Sequence, residues 1–135
     1  METKRPDLVN AVPPYGHVIC SEKWRDSPLI QGLKDGDVRV LFEADLGVAD
    51  LLLPGRSSVL FLSEAEVVGG GYRRRAVRYR AGGGLQQLVL VQRGPLSLQE
   101  FPGLQRFVVL DLGLALLPVA GATEAAQLIA QMVGV

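Results

Sequence analysis

Apolar positions along the chain fall into short continuous runs separated by stretches of helical spacing, and this alternation sets an order of elements. His17 to Trp24 (HVICSEKW), Val38 to Glu43 (VRVLFE), Ala49 to Leu53, Val59 to Leu62, Leu85 to Gln92 (LQQLVLVQ) and Ala115 to Val119 read as strands, several of them bounded by Gly, Pro, Asp or Ser. Pro54-Gly55-Arg56-Ser57-Ser58 joins the third and fourth runs as a loop, which predicts a hairpin. Pro28 to Lys34 reads as a helix capped by Asp26 or Ser27, with Pro28 near its first position. Glu64 to Val68 is a brief helix that stops at Gly69-Gly70-Gly71.

Ser97 and Glu100 stand as a capping-box pair before a helix whose apolar side holds Leu98, Phe101, Leu104, Phe107 and Val108. Pro102 inside that pattern kinks or restarts it. Thr123 caps a last amphipathic helix with Ala125, Leu128, Ile129 and Met132 on one face. Tyr72 to Ala81 admits two readings: Tyr72, Ala76 and Tyr79 line up at helical spacing, whereas Arg75, Val77 and Tyr79 share one face of a strand. The order β-α-β-β-β-α-(α)-β-α-β-α predicts a three-layer α/β domain with a mixed central sheet.

Composition narrows the picture. The 135 residues make one domain, long enough to bury a core without metal or disulfide support. Met1 to Tyr15, with Pro6, Pro13 and Pro14, reads as a flexible lead-in, and residues 16–135 as the folded domain. Fourteen basic side chains balance fourteen acidic ones, so no net charge draws the whole molecule toward nucleic acid or membrane. The single cysteine, Cys20, excludes an intrachain disulfide and a thiolate cluster, and fits a reducing, intracellular setting. The N-terminus lacks the apolar core of a signal peptide, and the longest uncharged apolar run, Leu112 to Thr123, is shorter than the about 20 residues of a membrane span.

Three features carry candidate chemistry. Glu43, Asp45, Asp50, Glu64 and Glu66 are the carboxylates that can gather at strand ends, as a Mg²⁺ site requires. A nuclease site also needs a group such as lysine to position water, and no lysine follows Lys34. Arg73, Arg74, Arg75, Arg78 and Arg80 form a dense block between Tyr72 and Ala81; on a helix Arg74, Arg75 and Arg78 share a face, either for successive phosphates or as a solvated, ion-paired surface. His17 has no nucleophile at a recognisable spacing, Cys20 reads as a small buried apolar residue, and neither triple glycine fits a phosphate-binding loop.

Several words of this sequence are specific. Gly16-His17-Val18-Ile19, Glu22-Lys23-Trp24-Arg25, Leu41-Phe42-Glu43, Ser63 to Val68, Gly71 to Arg75, Phe101-Pro102, and Val109 to Gly113 running into Leu116 to Ala120 resemble the XPF-type structure-specific nucleases. The likeness is nearest to their non-catalytic Fanconi anaemia branch and covers nearly the whole chain from Gly16. It implies the XPF/restriction-endonuclease-like fold. Active members carry Gly-Asp at the end of one strand and Glu-Arg-Lys after the next. Here Ala49-Asp50 stands for the first, and Ser63-Glu64-Ala65 falls on the second, so the metal-binding Glu becomes Ser and the lysine becomes Ala.

The resemblance therefore implies a pseudonuclease with no metal and no cofactor, acting in DNA repair in the nucleus. Its implied partner is the Fanconi anaemia group M translocase, paired through nuclease-like domains. Late helices usually make that contact, which points to Phe101 to Leu110 and Ala125 to Val133, with Phe101, Leu104, Phe107, Val108, Leu128, Ile129 and Met132 as interface residues. On that basis Ile129→Asp is expected to abolish pairing yet leave a folded monomer. Family members continue into a tandem helix-hairpin-helix module, whereas this chain stops at Val135. DNA binding is then weak or a property of the pair. Direct binding through the arginine block, or residual cleavage through Asp50, Glu64 and Glu43, are the alternative readings.

Overall fold

A computed structural model describes residues 12–84 and 86–134. The lead-in expected over Met1 to Tyr15 falls outside these residues as far as Ala11. From Pro13 the chain is fixed: Pro13 is buried, the Pro14 carbonyl accepts the His17 amide, and the Gly16 amide donates to Val133 O.

Six strands form one sheet: β1 (His17–Ser21), β2 (Arg39–Glu43), β3 (Leu51–Leu53), β4 (Ser57–Leu62), β5 (Gln86–Gln92) and β6 (Ala115–Val119). Their order across the sheet is β2-β1-β3-β4-β5-β6. β3 runs antiparallel to both neighbours and the other pairs are parallel, so the sheet is mixed, as the element order predicts. The expected hairpin is the β3–β4 pair, with Leu51 opposite Val59 and Leu53 opposite Ser57.

Helices α1 (Pro28–Asp35) and α5 (Ala122–Met132) cover one face. Helices α2 (Glu64–Gly69), α3 (Tyr72–Gly82) and α4 (Phe101–Gln105) cover the other. Strand alternation divides the core accordingly. Val18, Cys20, Leu51, Leu53, Val59, Phe61 and Leu90 face α1 and α5, while Leu60, Leu62, Val89 and Val91 face the α2–α4 layer. Helices α1 and α5 approach so closely that a Cβ on Gly32 would stand 2.8 Å from Ala126 Cβ.

The ambiguous segment is helix α3, and one stripe holds it. Tyr72, Ala76 and Tyr79 are its buried residues, at spacings of four and three. Tyr79 anchors the stripe in the sheet: its hydroxyl meets Ser58 Oγ at 2.8 Å and Ser58 O at 2.9 Å, and accepts the Leu88 amide at 3.0 Å. Buried without those partners, the hydroxyl would cost about 1–3 kcal/mol.

Three local expectations change. The first strand ends at Ser21 rather than Trp24, because Ser21 Oγ accepts the Lys23 amide and caps a 3₁₀ turn over Glu22–Trp24. Thr123 lies inside α5, whose N-cap is Gly121; the Glu124 carboxylate accepts the Ala120 amide instead. Ser97 does not open a helix. It closes a 3₁₀ turn over Pro95–Ser97, and α4 begins at Phe101 with Pro102 in its first turn, where proline is tolerated. Past Gln105 the helix widens to a π turn over Arg106–Asp111, with the Leu112 amide reaching back to Phe107 O.

Candidate functional site

At the carboxyl ends of β1 and β4 the chain leaves the sheet toward opposite faces, into α1 from β1 and into α2 from β4. Crevices of α/β sheets lie at such divergences, and Asp50, just before β3, sits between the two ends. It is 2% exposed, and both its oxygens are occupied. Oδ1 accepts Trp24 Nε1 at 3.1 Å and pairs with Lys23 Nζ at 3.2 Å. Oδ2 accepts the Phe61 amide at 2.8 Å and Arg75 Nη2 at 2.7 Å. Burial of the carboxylate is thus met by two cations and two neutral donors, the arrangement that makes a buried charge tolerable.

Arg75 extends the cluster. Its Nη1 bonds Glu66 Oε2, and Phe61 O lies 3.4 Å away. Burial works against the guanidinium charge, but Asp50 and Glu66 outweigh it and hold the Arg75 pKa above its ordinary value. Glu66 Oε1 meanwhile accepts the Ser63 amide at 3.0 Å while Ser63 Oγ accepts the Glu66 amide, a reciprocal cap on α2. The cluster therefore locks α2, α3, β4 and the turn after β1 to one point.

The structure relocates the residues expected beside Asp50. Extending the β3–β4 register by one places Leu60 opposite Asp50, so Leu60, Phe61 and Leu62 flank the carboxylate, and all three are buried and apolar. Ser63, Glu64 and Ala65 begin α2 instead. Glu64 turns away: its Oε2 accepts both the amide and the hydroxyl of Ser97 at 3.0 Å. Among the described residues the carboxylate joined to Asp50 through Arg75 is Glu66. Among the described residues no group of three His, Cys, Asp or Glu side chains is placed to hold a metal ion. Cys20 is buried, and burial followed by the nearby Asp50 charge pushes its thiol up to about 12, so it remains protonated and unreactive.

The five arginines separate into three groups. Arg75 is consumed by the cluster, which corrects its placement among phosphate contacts; it lies three residues after Tyr72 and four before Tyr79, alongside the buried stripe. Arg73 and Arg80 point toward the α4 side: Arg73 stacks 4.8 Å from the Phe107 ring centre, and Arg80 Nε donates to Leu112 O. Arg74 and Arg78, four apart, make no hydrogen bond or ion pair among the described residues. Arg78 lines an open cleft of about 220 Å³ beside Asp50, together with Lys23 and Arg75.

Comparison with known proteins places this geometry. Residues 10–134 match the family described as FANCM pseudonuclease domain. The chain belongs to that family. It is 45% identical to the Fanconi anemia core complex-associated protein 24 of Bos taurus and 44% identical to that of Homo sapiens, in each case over 98% of this chain and 62% of the relative. The chain thus spans about three-fifths of the curated relatives it matches. Among solved structures, XPF from Aeropyrum pernix in complex with DNA superposes with a TM-score of 0.73 at 16% identity, covering 87% of this chain and 62% of that one. The uncomplexed form of the same protein gives 0.71. The fold is that of the XPF nuclease domains, in agreement with the resemblance.

Burial separates the late-helix residues that the resemblance implies as a partner surface. Phe101, Leu104 and Val108 lie in the core between the sheet and the α2–α4 layer, and Ile129 is fully buried between the sheet and α5. Phe107 and Leu128 are half-buried, and of the named set only Met132 is exposed, at 39%. Exposed apolar residues nearby include Val109 and Leu110 on the π turn and Leu117 on β6, and also Leu96 and Leu98 before α4, where Leu98, expected on the apolar side of that helix, is 64% exposed.

Proposed function

We propose that this domain is the non-catalytic, nuclease-like part of a Fanconi anaemia core-complex subunit. It pairs with the nuclease-like domain of the group M translocase and helps place that enzyme on branched, single-stranded or interstrand-crosslinked DNA during repair in the nucleus. Loss of catalysis is supported by Asp50: a carboxylate that already accepts four donors, flanked by leucine and phenylalanine, offers a metal ion no free oxygen and an attacking water no base.

Pairing is supported by the β6 edge. An edge strand of a sheet exposes unpaired backbone groups, and β6 is one edge of this sheet. It carries Leu117 at 44% exposure, on the same face as Leu90, and the turn that leads into it carries Leu110 at 74%. Leu117 is thus on the α1–α5 face of that edge and Leu110 on the π turn of the opposite layer, and exposed apolar residues of this kind mark interaction surfaces. The partner chemistry is that of a related domain presenting an apolar edge of its own. Contacts to DNA fall to Arg74 and Arg78, the arginines of α3 with no internal partner among the described residues.

The experiment is the mass in solution of this chain, alone and mixed with the translocase's nuclease-like domain, run beside a cleavage assay on a forked substrate with Mg²⁺ or Mn²⁺. A one-to-one complex and an intact substrate are expected. A folded chain that stays monomeric in the mixture, or cleavage that disappears in Asp50→Ala, overturns the reading.

A further inference from the structure

The cleft beside Asp50 presents cationic donors, Lys23 and Arg78, rather than free carboxylate oxygens. We infer that it binds a phosphodiester group of a nucleic-acid strand without metal, through Lys23 and Arg78. Its lining includes Ser21, Lys23, Asp45, Gly47, Arg75 and Arg78, with Asp50 at the floor. Lys23, Arg75 and Arg78 are set against Asp45, Asp50 and Glu66, the last bonded to Arg75, so the charges balance, and what the cleft offers a phosphodiester is the uncommitted donors of Lys23 and Arg78.

Donors are available where the ligand would sit. Asp50 is saturated, and its charge is answered by Lys23 and Arg75. Lys23 keeps its ammonium at the cleft mouth, with the side chain 54% exposed, and of its three N–H donors one faces Asp50. Arg78 brings a planar fork of five donors, none of them used among the described residues, and that fork matches two phosphate oxygens at once. The opposing charge is partly committed: Asp45 accepts the Gly47 amide at 2.8 Å and is held on its own loop. Ser21 Oγ accepts the Lys23 amide and retains its hydroxyl proton for donation. Arg74, one turn before Arg78, extends the same face toward the next phosphate of the strand.

This inference rests on the DNA-contact half of the function proposed above and is independent of pairing. The test is fluorescence anisotropy of a labelled single-stranded oligodeoxynucleotide against salt concentration. The proteins are the unaltered chain, Arg78→Ala, Lys23→Gln and Arg56→Ala. Arg56 is exposed in the β3–β4 turn, at the far end of β3 from Asp50, and its removal changes net charge equally. Arg78→Ala and Lys23→Gln are each expected to weaken binding about fivefold or more and to flatten the log–log salt slope by about 0.7, while Arg56→Ala leaves both unchanged. Trp24 emission, from the only tryptophan and next to Asp50, checks that each variant is folded.

An equal loss in Arg56→Ala overturns the site, as does unchanged binding in Arg78→Ala. Inorganic phosphate added as competitor at constant ionic strength separates the ligand's source. Displacement only at phosphate concentrations far above that of the oligonucleotide supports a backbone site; tighter binding of inorganic phosphate than of the oligonucleotide overturns it. Complex formation with the translocase domain, measured on the same variants, stays intact if the cleft and the pairing surface are separate. Its loss in Arg78→Ala overturns the claim of independence.

Discussion

Replacing Asp50 with alanine removes the acceptor of four donors at once, and their burial decides the cost. The Phe61 amide sits in the buried strand β4 and the Trp24 indole N–H is part-buried; both lose their partner on the same carboxylate. An orphaned buried donor costs about 1–3 kcal/mol. Lys23 is half-exposed and turns to water, and Arg75, with a quarter of its side chain exposed, keeps Glu66, so these two add little. Removing a buried charge returns part of the loss. The expected destabilisation is about 3–4 kcal/mol, a large share of the about 5–15 kcal/mol that holds a domain together.

Urea unfolding followed by Trp24 emission measures it, since the indole itself bonds to Asp50. Arg75→Met completes a cycle. Alone it leaves Asp50 buried with only Lys23 as counter-charge, at about 2–3 kcal/mol, and combined with Asp50→Ala it costs less than the sum by about 1–2 kcal/mol. A loss below about 1 kcal/mol for Asp50→Ala, or strict additivity of the two changes, refutes the view that a structural ion cluster has replaced the metal site.

Leu110→Asp is expected to abolish pairing with the translocase domain while the chain stays folded, because Leu110 is 74% exposed. Ile129→Asp buries a lone charge and unfolds it, contrary to the outcome expected from the helix pattern; circular dichroism and co-purification distinguish the two. Gly32→Ala drives a Cβ to 2.8 Å from Ala126 Cβ and should cost about 1–3 kcal/mol in urea unfolding, the price of separating α1 from α5; an unchanged midpoint contradicts that packing. Stability is expected to fall as pH rises from 9 to 12. Burial raises Cys20 from 9.0 and Tyr79 from 10.0 to about 12, so the unfolded chain loses those protons first and each unit of difference is worth about 1.4 kcal/mol. A melting temperature that holds constant from pH 9 to 11 refutes it.

The element order was legible because each strand is a compact apolar run and two of the helices begin at a recognisable punctuation mark, Ser27-Pro28 for α1 and Ser63 with Glu66 for α2. Tyr72 to Ala81 was undecided because both periodicities are present and no side chain caps α3 at either glycine end. Tertiary contact chose the helix, through Tyr79 and its three partners in β4 and β5. Choosing the helix would also have shown Arg75 next to Tyr72 and Tyr79, hence turned inward. The neighbours of Asp50 were misplaced because strand length is poorly marked where Phe61, Leu62 and Ser63 pass from β4 into a cap. The burial of the late-helix stripe was illegible for a different reason. An apolar stripe such as Ala125, Ile129 and Val133 declares that it is covered, but its spacing does not say whether the cover is the domain's own sheet or another chain.

The carboxylates show how such a site becomes structural without collapse of the fold. In a metal site, two or three buried oxygens converge and the cation neutralises them; removing the cation alone would leave repelling charges in the core. Here Asp50 and Glu66 still converge, but on the guanidinium of Arg75, while Glu64 is drawn off to hold the Ser97 turn. Gly94 has no Cβ, which would otherwise stand 2.8 Å from Glu64 Oε2. The cation has become covalently part of α3. A domain whose ion cannot leave is permanently assembled at this corner, whereas a metal-dependent one is assembled only when loaded. That permanence suits the proposed subunit, which would present two fixed surfaces, the β6 edge on one side and the Lys23–Arg78 cleft on the other. Arg73 and Arg80 of the same helix hold Phe107 and Leu112, which flank Val109 and Leu110, so one helix fixes the geometry of both.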